Sequence, residues 1–160
     1  MDNSVPENKP KHTIHDSNAF QRGREKLGGL ILRGMKTTGG TDVDWLIEHR
    51  GGFIVLELKE FHDDHITIPV GQMIAFQKLH ERLNSGGKCY FVIVGSDDID
   101  FKNSDSSIWL FEMEDWNNGS IPHKKTLYQK WYIIKRKFMQ ETSLKDFRKK
   151  IESFWKEFEQ

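Results

Sequence analysis

The chain has 160 residues, a length that favours one domain and allows a core to form without disulfides or a structural metal. Its 24 lysines and arginines balance 24 aspartates and glutamates, so the net charge indicates neither a uniformly basic chain nor an acidic disordered one. The single cysteine, Cys89, excludes an internal disulfide and a cysteine-rich zinc site. Its apolar surroundings indicate a small buried side chain in a protein of a reducing compartment.

The start of the chain is polar. Residues 1–15 contain two prolines and few apolar side chains, so we expect a flexible tail, followed by a single domain over residues 16–160. No segment reaches the roughly 20 apolar residues of a membrane helix, and the first residues lack the pattern of a signal peptide. We therefore expect an intracellular protein without a membrane partner.

The first predicted elements are a helix and a hairpin. Either Asp16 or Ser17 can cap a helix whose apolar residues, from Phe20 onward, fall on one face. Residues 41–48 and 53–61 then alternate with period two on either side of a turn-prone segment, which is typical of a β-hairpin.

The remaining chain alternates between helical and strand patterns. The predicted order is a helix (68–84), a buried strand (88–95), a strand (107–113), a second strand (127–138) and a helix (143–160). The segment 127–138 is also compatible with a helix, and Ser143 is a suitable cap for the last helix. This order predicts an α/β protein, a three-layer sandwich around a central mixed β-sheet.

One face of the predicted hairpin carries charged side chains. Because side chains alternate along a strand, Asp44, Glu57 and Lys59 share a face when the connecting loop has an even number of residues. A loop of residues 51–52 places Asp44 opposite Lys59, whereas a loop of residues 49–52 places it opposite Glu57. An odd loop would separate these residues. The other face is expected to form one continuous core surface of Val43, Trp45, Ile47, Ile54, Leu56 and Leu58.

Two carboxylates and an ammonium group among apolar neighbours are costly to bury unless something compensates their charges. Carboxylate oxygens of Asp44 and Glu57, with a backbone carbonyl such as that of Leu58, suit Mg²⁺. The ion could lower the pKa of a water molecule and neutralise a phosphodiester, while Lys59 positions that water or stabilises the transition state. A Glu-x-Lys pair is also common on a solvated strand face, where it forms a weak ion pair.

These residues resemble the PD-(D/E)xK nuclease superfamily, the restriction-endonuclease-like fold that includes archaeal and phage Holliday-junction resolvases. The matching segments are residues 41–47, the Glu-Leu-Lys of residues 57–59, the Gly-Gln of residues 71–72 that opens a helix, and the buried strand 89–94. The resemblance spans roughly residues 20–95 and implies an αβββαβ core. One departure is that a valine, and not a proline, precedes Asp44.

The resemblance also implies roles for individual residues. Asp44 and Glu57 would bind Mg²⁺, or Mn²⁺ as its substitute, and Lys59 would position the attacking water. Gln72 and, on the first helix, Glu25 would complete the catalytic site, although a surface role for Glu25 fits its position equally well. Asp42 shares the face of Asp44 and competes with it for the metal.

A basic stretch interleaved with aromatic residues follows in the second half of the chain. It supplies the nucleic-acid-binding candidates Lys124, Lys125, Lys135, Arg136 and Lys137. The same residues would equally suit the solvated side of a strand. Net neutrality is thus compatible with an acidic metal site and a separate basic phosphate-binding surface.

The sequence therefore predicts a Mg²⁺-dependent nuclease with DNA as the expected substrate, located in the cytoplasm or at the nucleoid. A homodimer is compatible with this prediction, because members that cut duplexes symmetrically need two sites. The alternative is a nucleic-acid-binding or assembly module that has the same fold without catalysis.

Overall fold

The computed structural model describes residues 16–31, 41–86, 88–101, 105–119 and 130–160, without the side chains of residues 28–31. The chain divides into two compact units, Met1–Gly40 and Thr41–Gln160. The predicted tail over residues 1–15 lies outside the described residues.

The first unit contains helix α1 (Ser17–Ile31). The Oδ1 atom of Asp16 accepts a hydrogen bond from the backbone N–H of Ala19 at 2.8 Å. This bond satisfies one of the free amides at the helix start, and the predicted cap is confirmed.

The second unit contains the other elements. In chain order they are β1 (Trp45–His49), β2 (Gly52–Glu60), β3 (His65–Pro69), α2 (Val70–Asn84), β4 (Cys89–Ser96), β5 (Ser107–Glu112), α3 (Met113–Asn117), β6 (Trp131–Lys135), a 3₁₀ helix (Arg136–Phe138), β7 (Gln140–Ser143) and α4 (Leu144–Glu157). None of the helices in the described part of the chain is long and apolar enough to cross a membrane.

A mixed five-stranded sheet forms the centre of this unit, in the order β1-β2-β4-β5-β7. Strands β2 and β4 run parallel and are connected through α2, whereas the other neighbouring strands are antiparallel. Strands β3 and β6 form a separate antiparallel pair. The predicted α/β class with a central mixed sheet is therefore confirmed.

Apolar side chains cover both faces of the central sheet because β2 and β4 lie in its interior. One face packs against α2 and the two-stranded sheet, through residues that include Val55, Phe91, Ile93, Met73, Phe76 and Ile66. The other face packs against α4 and the residue that follows it, through residues that include Ile54, Val92, Val94, Phe147 and Phe158. The near-continuous apolar sequence of β4 reflects burial on both faces.

The last helix begins as predicted. The hydroxyl of Ser143 accepts a hydrogen bond from the backbone N–H of Asp146 at 3.1 Å and caps α4. Phe147 is the buried residue of this helix, so its apolar face is directed at the sheet.

Several predicted boundaries were wrong. The first strand of the hairpin begins at Trp45 and not at Thr41. Ile68 and Pro69 belong to β3 and not to the following helix, because they pair with Tyr132 and Trp131 of β6. Met113 begins the short helix α3, which lies where the sequence indicated a strand end and a turn. The segment 136–138 forms a 3₁₀ helix beyond the confirmed strand β6.

Candidate active site

The hairpin of β1 and β2 sets the geometry of the site. Trp45 lies opposite Leu56 and His49 lies opposite Gly52, so the tight turn consists of Arg50 and Gly51. Both turn residues have positive φ angles, 49° and 80°, as two-residue hairpin turns require. Continued back by one residue from Trp45, this register places Asp44 opposite Glu57. This pairing is the second of the two alternatives that an even loop allows.

The opposite face of the hairpin differs from the expected continuous core surface. Ile47, Leu56 and Leu58 pack against the α4 side of the sheet as expected. Val43 instead packs against the cluster on the α2 side, because it precedes the first residue of β1 and strand alternation does not extend to it. Trp45 is 55% exposed, so it is not a core residue.

Glu57, Lys59 and Gln72 form one hydrogen-bonded cluster. The Nζ atom of Lys59 lies 2.7 Å from Oε1 of Glu57 and donates to Oε1 of Gln72 at 3.0 Å. The side-chain amide of Gln72 in turn donates to Oε1 of Glu57 at 3.1 Å. Strand β2 supplies two of these residues and the first turn of α2 supplies the third, so the predicted contact between them is present.

Asp44 lies beside this cluster at the start of β1. Its Oδ2 atom accepts a hydrogen bond from the backbone N–H of Leu58 at 2.7 Å. This bond fixes one carboxylate oxygen of Asp44 against the peptide bond between Glu57 and Leu58. Asp44 itself is exposed, so its carboxylate is reached from solvent.

Glu57 is only 4% exposed, and its surroundings oppose its charge. Burial raises the pKa of the Glu57 carboxyl above its ordinary value, and the negative charge of Asp44 adds to this effect. Lys59, through its hydrogen bond and its charge, and more weakly the backbone N–H of Asp44 lower the pKa without cancelling the rise.

One oxygen of this buried carboxylate has no partner. Oε1 of Glu57 accepts from Lys59 and Gln72, while Oε2 is buried without a hydrogen bond to any described group. A buried carboxylate oxygen without a donor is destabilising unless it binds a proton, water or a cation. The Oε2 atom is therefore the position at which this cluster can accept a ligand.

The donor set fits a partly hydrated Mg²⁺ or Mn²⁺ ion and not a closed structural site. No group of three or more His, Cys, Asp or Glu side chains among the described residues is arranged to hold a metal. Asp44 and Glu57 provide two carboxylates, and Mg²⁺ commonly binds one or two carboxylates together with water and substrate phosphate. Both predicted ligands therefore fit the ion, with its other positions left to water and substrate.

The remaining acidic candidates are Glu25 and Asp42. Glu25 lies on α1 in the first unit, where its Oε1 atom accepts a hydrogen bond from the side chain of Gln21 at 3.2 Å. Asp42 is exposed and precedes β1. The catalytic role of Glu25 and the competition of Asp42 with Asp44 remain predictions.

Only part of the set of basic candidates lies within the described residues. Lys124 and Lys125 lie outside the described part of the chain. Lys135 and Lys137 are exposed, and Nζ of Lys135 lies 4.0 Å from an oxygen of Asp64.

Arg136 is held by contacts within the protein. Its two Nη atoms bind the carboxylate of Asp97 at 2.9 and 2.6 Å, and Nη2 also donates to the backbone carbonyl of Asp63 at 3.2 Å. The guanidinium lies 4.0 Å from the ring centre of Phe61 and 4.3 Å from that of Trp109. These contacts indicate a structural role, and phosphate binding by Arg136 remains a prediction.

Comparisons with protein-family models, with curated proteins and with solved structures find no match to this chain. The resemblance to PD-(D/E)xK nucleases thus depends on the residues named above and on their arrangement.

Proposed function

We propose that this chain is a metal-dependent nuclease of the PD-(D/E)xK type that hydrolyses phosphodiester bonds in DNA. The observation that carries the proposal is the buried Glu57 carboxylate, with one oxygen bound by Lys59 and Gln72 and the other free beside Asp44. A purely structural ion pair would not place the second carboxylate of Asp44 beside the buried charge of Glu57, where it opposes that charge.

Each of the four residues of the site would have a distinct role in hydrolysis. Asp44 and Glu57 would hold Mg²⁺ or Mn²⁺, which when bound lowers the pKa of a water molecule and neutralises charge on the phosphate. Lys59 places a positive charge 2.7 Å from the ligand residue Glu57, where it can orient the attacking water and stabilise negative charge on the phosphate oxygens. Gln72 bridges Lys59 and Glu57 and fixes both side chains.

The chain order supports the same proposal. Helix α1, strands β1 to β3, helix α2 and strand β4 follow one another in the αβββαβ order that the resemblance implies. The departure is β3, which pairs with β6 outside the central sheet. Cutting both strands of a duplex would require two sites, so the proposal extends to a homodimer for that activity.

The proposal is tested with the full chain and labelled single-stranded, duplex and branched DNA, in Mg²⁺, Mn²⁺ or EDTA. We expect metal-dependent cleavage of at least one form. Glu57→Gln should lower the rate about 100-fold or more, because it removes the charge of a ligand. Glu60→Gln is the matched control on the exposed end of the same strand and should retain the wild-type rate.

Undiminished cleavage by Glu57→Gln would contradict the assigned site. Salt-dependent DNA binding without cleavage of any form would contradict the nuclease proposal and support the binding-module alternative.

A further inference from the structure

A small apolar cavity lies next to the candidate active site. Its volume is about 220 Å³, and its lining includes Trp45, Leu56, Glu57, Leu58, Phe101 and Phe147. Leu56 and Leu58 alternate with Glu57 along β2 and pack on the α4 side of the sheet, so most of the cavity lies on that side of the strand, and Glu57 borders it.

Trp45 connects the cavity to the active site. It directly follows Asp44 in the sequence, and β1 is an edge strand of the central sheet. Trp45 lines the cavity and Asp44 contacts the backbone of Leu58 beside Glu57. The Cα atoms of Asp44 and Trp45 are about 3.8 Å apart, so a single step along the chain connects the two sites. The Trp45 side chain lines the cavity yet is 55% exposed, which places part of its ring surface within reach of a ligand.

The size and chemistry of the cavity restrict what can occupy it. Its volume is below the roughly 300–1,000 Å³ of pockets that enclose whole drug-sized ligands, so it accommodates one flat ring better than a peptide segment. Its almost wholly apolar lining offers little to hold a polar molecule in place. An occupant would need a second, charged group bound nearby, and the cluster of Asp44, Glu57 and Lys59 is the adjacent charged site.

We infer that this cavity binds one unstacked nucleobase of the nucleic-acid chain whose phosphodiester lies at Glu57, with Trp45 as the stacking surface. The inference depends on the proposed function for the position of the phosphate. A base inside a duplex is stacked on both faces and must leave the helix to enter a pocket. The substrate class is therefore DNA with unpaired nucleotides at the cleavage position, such as single strands, flaps or frayed ends.

Binding of a short fluorescent oligothymidylate with phosphorothioate linkages, which resist hydrolysis, tests this inference in Mg²⁺. We expect Trp45→Ala to raise the Kd about tenfold, the effect typical of losing one base–aromatic stack. Trp45→Phe keeps an aromatic ring and should stay within about threefold of the wild type. Trp155→Ala is the matched control, because Trp155 is 37% exposed on α4 and does not line the cavity.

An oligonucleotide of abasic sites separates base stacking from loss of the fold. Its affinity should not change between wild type and Trp45→Ala. Equal Kd values of both proteins for the base-containing oligonucleotide would overturn the inference, and so would an equal loss for the abasic one. A Trp45-dependent change in oligomeric state without base dependence would also overturn it, since the cavity would then bind a second copy of the chain.

The inference and the proposed function can fail separately. Metal-dependent cleavage that requires Glu57 but is unaffected by Trp45→Ala, with unchanged oligonucleotide binding, would overturn the inference alone. Base-dependent binding through Trp45 without cleavage of any DNA would support the base site while contradicting the nuclease proposal.

Discussion

Two clusters of charged side chains in the second unit differ in how far neighbouring groups compensate their charges. In the first, Glu57 is bound through one oxygen by Lys59 and Gln72, while its second oxygen is buried without a partner. In the second, the guanidinium of Arg136 forms a two-point contact with Asp97 and lies over two aromatic rings.

Each cluster leaves one buried polar atom without a hydrogen bond, namely Oε2 of Glu57 and Nε of Arg136. The consequences differ because the surrounding charges differ. Asp97 and the faces of two rings compensate the positive charge of Arg136. Asp44, in contrast, repels the carboxylate of Glu57 and raises its pKa further. The comparison supports the proposal that the first cluster binds a cation, whereas contacts within the protein compensate the charge of the second.

The largest effect is expected from removing the ammonium group of the first cluster. Lys59→Met should lower the rate of DNA cleavage about 100-fold or more, because it removes a charge aimed at the reacting phosphate. Lys78→Met is the control, since Lys78 is exposed on α2 and pairs only with Glu81 among the described residues. Single-turnover cleavage measures both rates, and equal rates for Lys59→Met and wild type would place Lys59 outside the catalytic machinery.

The second cluster should respond in stability. Arg136→Met removes the contact with Asp97 and two cation–π contacts, and we expect a loss of about 2 kcal/mol in the free energy of unfolding. Lys135→Met, which alters only an exposed ion pair, should change it by less than about 0.5 kcal/mol. Urea denaturation measures both. If Arg136→Met is as stable as Lys135→Met but binds DNA more weakly, Arg136 belongs to a nucleic-acid surface.

The smallest effect concerns the stability cost of the Glu57 charge in metal-free protein. The raised pKa means that folded Glu57 retains its proton above 4.5, the pKa at which its carboxyl ordinarily titrates. The stability of the wild type should therefore fall as the pH rises from 4.5 through the raised folded pKa, and then level off. Glu57→Gln lacks this loss.

We expect the stability gain of Glu57→Gln over the wild type to grow across that pH range. Denaturation in EDTA at a series of pH values measures it, with Glu60→Gln as the control that should show no such trend. A gain that is independent of pH would show that the charge of Glu57 is already compensated without a metal.

Much of this fold was predictable because its elements have strong sequence patterns. The apolar run of β4, the spacing along α2 and α4, and the alternation around Arg50 and Gly51 each favour one structure. Strand alternation also placed Glu57 and Lys59 on one face. Gln72 lies in the first turn of the next helix, and the resemblance assigns it to the same site. The cluster of these three residues was therefore predictable from local sequence patterns together with the resemblance.

The parts that sequence reasoning missed depend on contacts between distant segments. Strand β3 has only five residues and ends in a proline, so its pairing with β6 was not visible in its own pattern. The partner of Arg136 is Asp97, 39 positions away, and a basic residue in a basic stretch gives no indication of such a contact. The exposure of Trp45 was missed because alternation specifies a face and does not show whether another element covers it.

The central claim is that the free oxygen of Glu57 is a metal ligand. Its most direct test is anomalous diffraction from crystals of the full chain soaked in Mn²⁺. The account predicts a manganese peak between the carboxylates of Asp44 and Glu57, bound by Oε2 of Glu57, and no such peak in Glu57→Gln. A soaked crystal with no manganese at these two residues, or with its only ion on the exposed acidic loop around Asp97 and Asp98, would contradict it.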